Sequence, residues 1–148
     1  MPDTSSNETS IELLRHGEPV GGSRFRGQRD DPLSELGWQQ MHAAVAGRDD
    51  WHRIICSPLL RCSDFASVLA GRLDIPLHIE ERFAEVGFGE WEGKTRGELE
   101  QSIPGQVTRF YRDPQNNRPA GAEPLEAYVT RVAAGFEQLL ERFPGQSV

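Results

Sequence analysis

Two arginines, a histidine and a glutamate lie at the ends of predicted strands. Arg15 and His16 directly follow a predicted strand at residues 11–14, and Arg61 lies in the first turn of the helix after the next predicted strand. Glu85 comes after a third predicted strand. Because ligands of open α/β sheets bind beyond the carboxyl ends of the strands, we expect these four side chains to converge at one sheet edge.

These residue types suit the transfer of a phosphoryl group through a covalent intermediate. The neutral imidazole of His16 can attack phosphorus and form a phosphohistidine. The forked donors of Arg15 and Arg61 can hold the phosphoryl oxygens and stabilise their charge. Gly17 lets the backbone approach the phosphate closely, and Glu85 can protonate the leaving oxygen and later deprotonate water.

Each of these side chains also has a plain structural interpretation. An Arg-His-Gly sequence is commonly a turn, Arg61 could be a solvated helix residue, and Glu85 could be a surface carboxylate. The shared position at strand ends favours the catalytic interpretation of the set. Three further carboxylates compete with Glu85 for the acid–base role: Glu81, Glu90 and Glu92.

Other constellations are rejected. Cys56 and Arg61 resemble the ends of a cysteine-phosphatase loop, but the spacing is one residue too short, Pro58 interrupts it and glycines are absent. No spacing of His, Cys or Asp indicates a metal site, so we expect neither a metal nor a cofactor. The remaining histidines are expected to be structural or exposed: His42, His52 and His78.

Composition bounds the class of protein and its partners. The chain has 148 residues, 36% of them hydrophobic, and a net charge of −7. That length predicts one domain, and the acidic balance disfavours a nucleic-acid binder. A local cationic pocket can still take a small anion, so the expected partner is a small phosphorylated metabolite. The sequence leaves the oligomeric state open.

Nothing in the sequence indicates export or membrane insertion. The first ten residues are polar and contain no apolar signal region, and the apolar runs are far shorter than a membrane span. The chain has two cysteines, which do not form a disulfide framework. We therefore expect a cytoplasmic protein with a polar tail over residues 1–10.

Alternating strands and helices predict an α/β fold with a largely parallel sheet. We predict strands over 11–14, 53–56 and 75–79. We predict helices over 34–47, 57–72 and 125–142, and a short helix over 106–112. Ser34 and Ser57 are the expected N-caps of the first two helices, and Thr95 with Glu98 matches a capping box for a short helix.

Four ordered motifs resemble the histidine phosphatase superfamily, the phosphoglycerate-mutase-like group. They are Arg15-His16-Gly17-Glu18, Gly27-Gln28 with Pro32-Leu33-Ser34, Ser57-Pro58-Leu59-Leu60-Arg61, and Glu85 with Phe88-Gly89-Glu90-Trp91-Glu92-Gly93. Within that group the chain looks most like the α-ribazole phosphatase branch, which serves cobalamin nucleotide-loop assembly. The resemblance covers residues 11–148 and implies a three-layer sandwich, a mostly parallel sheet between helices.

The resemblance also implies roles for individual residues. It makes His16 the nucleophile, Glu85 the acid and base, and both Arg15 and Arg61 phosphate ligands of a metal-free phosphatase. The residues that would complete the phosphate pocket are Gly17, Gly27 and Gln28. Two further residues would face the substrate: Arg26, and Glu123 in a loop resembling the family's substrate-side loop.

The sequence departs from the family pattern after the last predicted helix. The family places a second catalytic histidine at the end of a strand there, whereas residues 143–148 contain no histidine. We therefore expect a histidine phosphatase domain over 11–148 that is incomplete at its C-terminus and lacks that strand. Two functions remain open, namely hydrolysis of a phosphomonoester such as α-ribazole 5′-phosphate, and phosphate binding with little or no catalysis by a truncated or degenerate member.

Overall fold

The computed structural model describes residues 8–148. Most of the tail predicted over residues 1–10 lies outside this range. At the end of the predicted tail, the Thr9 hydroxyl donates to the Phe143 carbonyl at 3.3 Å and accepts from the Gly145 amide at 3.0 Å. Ser10 forms a parallel bridge with Ser147. These last two tail residues are therefore bonded to the end of the chain.

The fold is α/β, with a small parallel sheet of two strands in the part of the chain that the structure describes. Strand β1 (Ile54–Cys56) pairs in parallel with β2 (Leu77–Ile79), and Ile54 lies opposite Leu77. Both strands fall within the predicted ranges. Parallel pairing requires a crossover, which the helix between the two strands supplies.

The predicted strand at 11–14 is wrong as a regular strand. Within this segment, the Glu12 amide donates to the Val148 carbonyl at 2.9 Å. Just before it, the Ser10 amide donates to the Gln146 carbonyl at 2.9 Å. Among the described residues, no backbone–backbone hydrogen bond involves residues 13–16, and Leu13 is 92% exposed. An apolar run becomes a strand only when a partner satisfies its backbone groups.

Helices α1 (Glu35–Ala44) and α2 (Leu60–Leu73) pack together on one side of the sheet. The Ser34 side chain accepts from the Gly37 amide, as predicted for the N-cap of α1. Apolar side chains four residues apart, one pair from α1 and its C-cap and one pair from α2, form their shared core: Met41, Val45, Phe65 and Leu69.

Two 3-10 turns and two short helices follow β2 along the chain, and all but the first turn contribute to a second core. The 3-10 turns cover Glu81–Phe83 and Gly89–Trp91, and the helices are α3 (Arg96–Ser102) and α4 (Gln106–Arg112). The capping box of α3 forms as predicted between Thr95 and Glu98. This second core consists of Trp91, Leu99, Val107 and Phe110.

Helix α5 (Leu125–Arg142) is the longest helix and packs against the 3-10 turn at Glu81–Phe83. Its observed bounds are the predicted ones. Gly135 allows the close approach, because a Cβ there would press against the Phe83 ring. Within residues 8–148, no helix combines the length and apolar character needed to cross a membrane.

Candidate active site

The His16 ring is held by its own loop. Its Nδ1 lies 2.7 Å from the Gly17 carbonyl oxygen, and because a carbonyl can only accept, Nδ1 carries the proton in this bond. The Nε2 atom of a neutral ring then keeps its lone pair. This is the protonation state that a nitrogen nucleophile requires.

The electrostatic surroundings of His16 keep it neutral. Burial is the main cause that lowers its pKa below 6.5, and the positive charges of Arg61 and Arg15 lower it further. Glu85 acts on the same ring with opposite sign. Arg15, Arg61 and Glu85 therefore all lie within electrostatic reach of the His16 ring.

Arg61 organises the loop that precedes α1. It is 2% exposed, although it lies in the first turn of α2. Its guanidinium donates to the carbonyls of Arg29 at 2.8 Å and Gly27 at 2.7 Å. The solvated alternative for Arg61 is wrong, whereas Arg15 is exposed beside the same ring.

Gly27 and Gln28 occupy a turn that only glycine fits at its first position. Gly27 has a φ of +53°, and a Cβ would overlap the Glu92 carboxylate. The Gln28 amide donates to Glu92 Oε1 at 2.9 Å, and the Gln28 side chain donates to the Glu85 carbonyl at 3.4 Å. Phosphate contact by Gly27 and Gln28 stays a prediction, and their place between Arg61 and Glu85 supports it.

Glu85 lies at the start of the Val86-Gly87-Phe88 segment and is half-buried. Its Oε1 accepts from the Val86 amide at 2.8 Å, which leaves Oε2 without a hydrogen bond among the described residues. Of its predicted competitors, Glu92 instead bonds the amides of Gln28 and Phe88. These contacts favour Glu85 for the acid–base role.

Two predicted substrate contacts are occupied by contacts inside the protein. Arg26 is 8% exposed and donates to Asp31 at 3.2 Å and to the Val20 carbonyl at 2.8 Å. The Glu123 carboxylate pairs with Arg131 at 2.7 Å and accepts from the Gly87 amide at 3.1 Å. These bonds give both side chains structural roles and lend no support to substrate contact by either one.

Gly17 also has a role that the sequence did not reveal. A Cβ on Gly17 would overlap the backbone of Gly37 in α1, so the glycine permits the loop to lie against that helix. Its predicted approach to phosphate remains untested. Arg131 was missed altogether, because a single arginine on the polar side of a long helix carries no recognisable pattern.

The assembled geometry suits attack on an electrophile bearing negative charge. The charges of two guanidinium groups and one carboxylate act on a neutral imidazole. The guanidinium groups favour an anion next to the nucleophile, and the carboxylate can exchange a proton with it. Together these groups can bind a phosphoryl group and transfer it.

Comparisons with known proteins agree with this chemistry. A family model described as histidine phosphatase superfamily (branch 1) matches residues 11–148. The chain is 36% identical over 117 residues to the glucosyl-3-phosphoglycerate phosphatase of Mycolicibacterium vanbaalenii, over 76% of this chain and 52% of that protein. It is 29% identical over 132 residues to the adenosylcobalamin/alpha-ribazole phosphatase of Salmonella typhimurium, over 86% and 65%.

A solved structure shares the fold. Bacillus stearothermophilus YhfR matches with a TM-score of 0.83 at 28% identity, over 95% of this chain and 72% of that one. The chain spans between 40% and 66% of the length of the curated relatives that it matches. The names of the relatives point to different substrates, so the predicted α-ribazole branch is not established.

Proposed function

The chain belongs to the histidine phosphatase superfamily (branch 1), and we propose that it hydrolyses a small phosphomonoester through a phosphohistidine on His16. The observation that carries the proposal is the Nδ1 contact of His16 with the Gly17 carbonyl, which directs the Nε2 lone pair away from the loop. The lowered pKa of the ring supports the same role, since it is neutral at physiological pH.

In the first step, Nε2 of His16 attacks phosphorus and the bond to the ester oxygen breaks. Protonated Glu85 gives its proton to that oxygen, and the alcohol leaves. In the second step, Glu85 takes a proton from water, the water oxygen attacks phosphorus and the P–N bond breaks. Inorganic phosphate leaves, and both side chains return to their starting states.

Arg15 and Arg61 stabilise the phosphoryl oxygens in both steps. Two guanidinium nitrogens of Arg61 donate to the carbonyls of Gly27 and Arg29, and these bonds fix the Arg61 side chain before substrate arrives. A donor fixed in advance does not reorganise during the reaction. The α-ribazole 5′-phosphate of the branch resemblance is one candidate substrate, and glucosyl-3-phosphoglycerate, from the name of the Mycolicibacterium vanbaalenii relative, is another.

A second candidate is phosphate binding with little turnover. Two observations on the surroundings of His16 favour it: the lining of the adjoining cleft and the positions of the other histidines. An open cleft of about 710 Å³ adjoins His16 and is lined mainly by apolar side chains of α1, α2 and α5. The other histidines are placed elsewhere: His42 against Phe65, His52 bonded to Ser147, and His78 beside Glu80. In the described chain, none of them has a contact that joins it to His16.

One experiment separates the two candidates. The protein is incubated with p-nitrophenyl phosphate, quenched in alkali to preserve phosphohistidine and mapped by mass spectrometry, while released phosphate is measured. Turnover with phosphate on His16, lost in His16→Ala and kept in the control His42→Gln, supports hydrolysis. Phosphate binding without turnover supports the second candidate, and turnover that persists in His16→Ala contradicts the mechanism.

A further inference from the structure

Arg131 of α5 uses every N–H of its guanidinium group within the protein. Nε and one terminal nitrogen bind the two Glu123 oxygens at 2.7 and 2.8 Å. The other terminal nitrogen donates to the carbonyls of Arg82 and Ala84, both at 2.7 Å. The terminal nitrogen that binds Glu123 also donates to the Glu85 carbonyl at 3.1 Å. A half-buried arginine with five satisfied donors is a rigid anchor.

Glu123 extends this anchor to the far side of Glu85. Its carboxylate accepts from the Gly87 amide at 3.1 Å, and its own amide donates to the Gly87 carbonyl at 3.0 Å. Arg118 adds bonds to the carbonyls of both residues. The backbone is thus held directly before and after Val86, whose amide binds the Glu85 side chain.

We propose that Arg131 is the positioning residue of the general acid–base group: through the carbonyls of Arg82, Ala84 and Glu85, and through Glu123, it sets where the Glu85 carboxylate stands relative to His16. The inference rests on the proposed function, which makes Glu85 the proton donor. Arg131 itself has no donor left for a substrate.

The electrostatics of the pair are consistent with a permanent clamp. The hydrogen bond from Arg131 is the main cause that lowers the pKa of Glu123, and the same bond raises the pKa of Arg131. Both partners therefore stay charged near neutral pH. The Arg131–Glu123 pair therefore keeps its hydrogen bonds across that pH range. A change in proton transfer in an Arg131 variant then reports on the position of Glu85.

The test uses Arg131→Lys, which keeps the charge and loses the planar fork, with Arg142→Lys of the same helix as control. Each variant is assayed on an alkyl phosphomonoester and on p-nitrophenyl phosphate. The alkyl leaving group needs a proton, whereas p-nitrophenolate leaves without one. A displaced Glu85 should lower kcat/KM, which covers only the steps up to departure of the alcohol, by about 100-fold for the alkyl ester and affect p-nitrophenyl phosphate far less, as Glu85→Gln should.

Equal losses of kcat/KM on the two esters, or no more loss than in Arg142→Lys, overturn the proposal. If Arg131→Lys does not fold, Glu123→Gln is judged by the same selective loss. A wild-type protein that hydrolyses neither ester contradicts the proposed function alone. Amide hydrogen exchange then decides: about tenfold faster exchange confined to residues 84–88 in Arg131→Lys supports the clamp, and unchanged exchange there overturns it.

Discussion

Gly17 and Gly37 face each other at the point where the His16 loop meets α1. A Cβ on Gly17 would overlap the Gly37 backbone, and a Cβ on Gly37 would overlap the backbone of Glu18. The first turn of α1 therefore fixes the loop that carries the nucleophile. Since Ser34 also bonds both the Gly37 amide and the Glu18 carboxylate, the cap of the helix and the loop form one unit.

Gly37→Ala should disturb this unit. The added methyl group pushes the His16 loop away from α1, and overpacking of this kind costs about 1–3 kcal/mol. Urea unfolding measures the loss, and phosphate binding should weaken along with it. The control is Gly71→Ala in α2, where no atom lies within 4 Å of the new Cβ. That change should raise the free energy of unfolding by about 0.5–1 kcal/mol.

The pKa of His16 should lie below 6.5 and respond to Arg61. Burial is the main cause of the lowering and the arginine charges add to it. Replacement by Arg61→Met should therefore raise the pKa without restoring 6.5. NMR titration of the His16 ring protons gives both values. An unchanged or lower pKa in the variant would contradict the proximity of the two side chains.

The same shift makes stability depend on pH. The folded-state pKa of His16 is lower than its unfolded value, so the unfolded chain binds the proton more tightly. The stabilising contribution is complete above pH 6.5 and is lost as the pH falls through the lower folded-state value. In His16→Gln, the free energy of unfolding should lose this component of its pH dependence, which chemical denaturation across that range detects.

Arg61 should matter for stability as well as for chemistry. Arg61→Met removes two charged hydrogen bonds and leaves the carbonyls of Gly27 and Arg29 without those donors, at a cost of about 2–5 kcal/mol. The control Arg72→Met changes an exposed arginine of the same helix and should cost far less. Denaturant melts compare the two. Similar losses in both variants would show that the buried bonds of Arg61 are not what stabilises the loop.

The elements that the sequence predicts well are those with local signals. Helix α5 has the predicted bounds because both of its signals are local: the apolar spacing lies within the helix, and Pro144 lies two residues after its end. The capping box of α3 likewise joins residues three positions apart. Strand ends explain the predicted convergence only in part: Arg61 follows β1, whereas no regular strand precedes His16, which still comes within electrostatic reach of Arg61 and Glu85.

The features that the sequence did not predict depend on distant partners. The segment 11–14 has the composition of a strand but lacks a regular ladder, and Arg131 acquires its role from carbonyls more than 40 positions away. Helix α2 shows the same effect. It was predicted to begin at a Ser57 cap, whereas it begins at Leu60 after an N-cap residue, Leu59, with no capping side chain.

Asp30 supplies the missing cap of α2 from the loop that carries Gly27 and Gln28. Its Oδ1 accepts from the Leu60 amide at 2.7 Å, while the Ser57 hydroxyl accepts only from the Leu59 amide at 3.3 Å. Asp30→Ala should cost about 1 kcal/mol of unfolding free energy, because an N-terminal amide loses its acceptor. Asp30→Asn keeps an acceptor and should lose less, by the part that the negative charge contributes at a helix N-terminus.

Ser57→Ala is the matched comparison. The free energies of unfolding of the three variants in urea show whether Asp30 or Ser57 stabilises the start of α2 more. The observed contacts require a larger loss in Asp30→Ala than in Ser57→Ala. The opposite order would restore the cap expected from the sequence and place the start of α2 at Pro58. Because Asp30 directly follows Arg29, whose carbonyl binds Arg61, Asp30→Ala should also weaken phosphate binding, whereas Ser57→Ala tests the effect of the local serine alone.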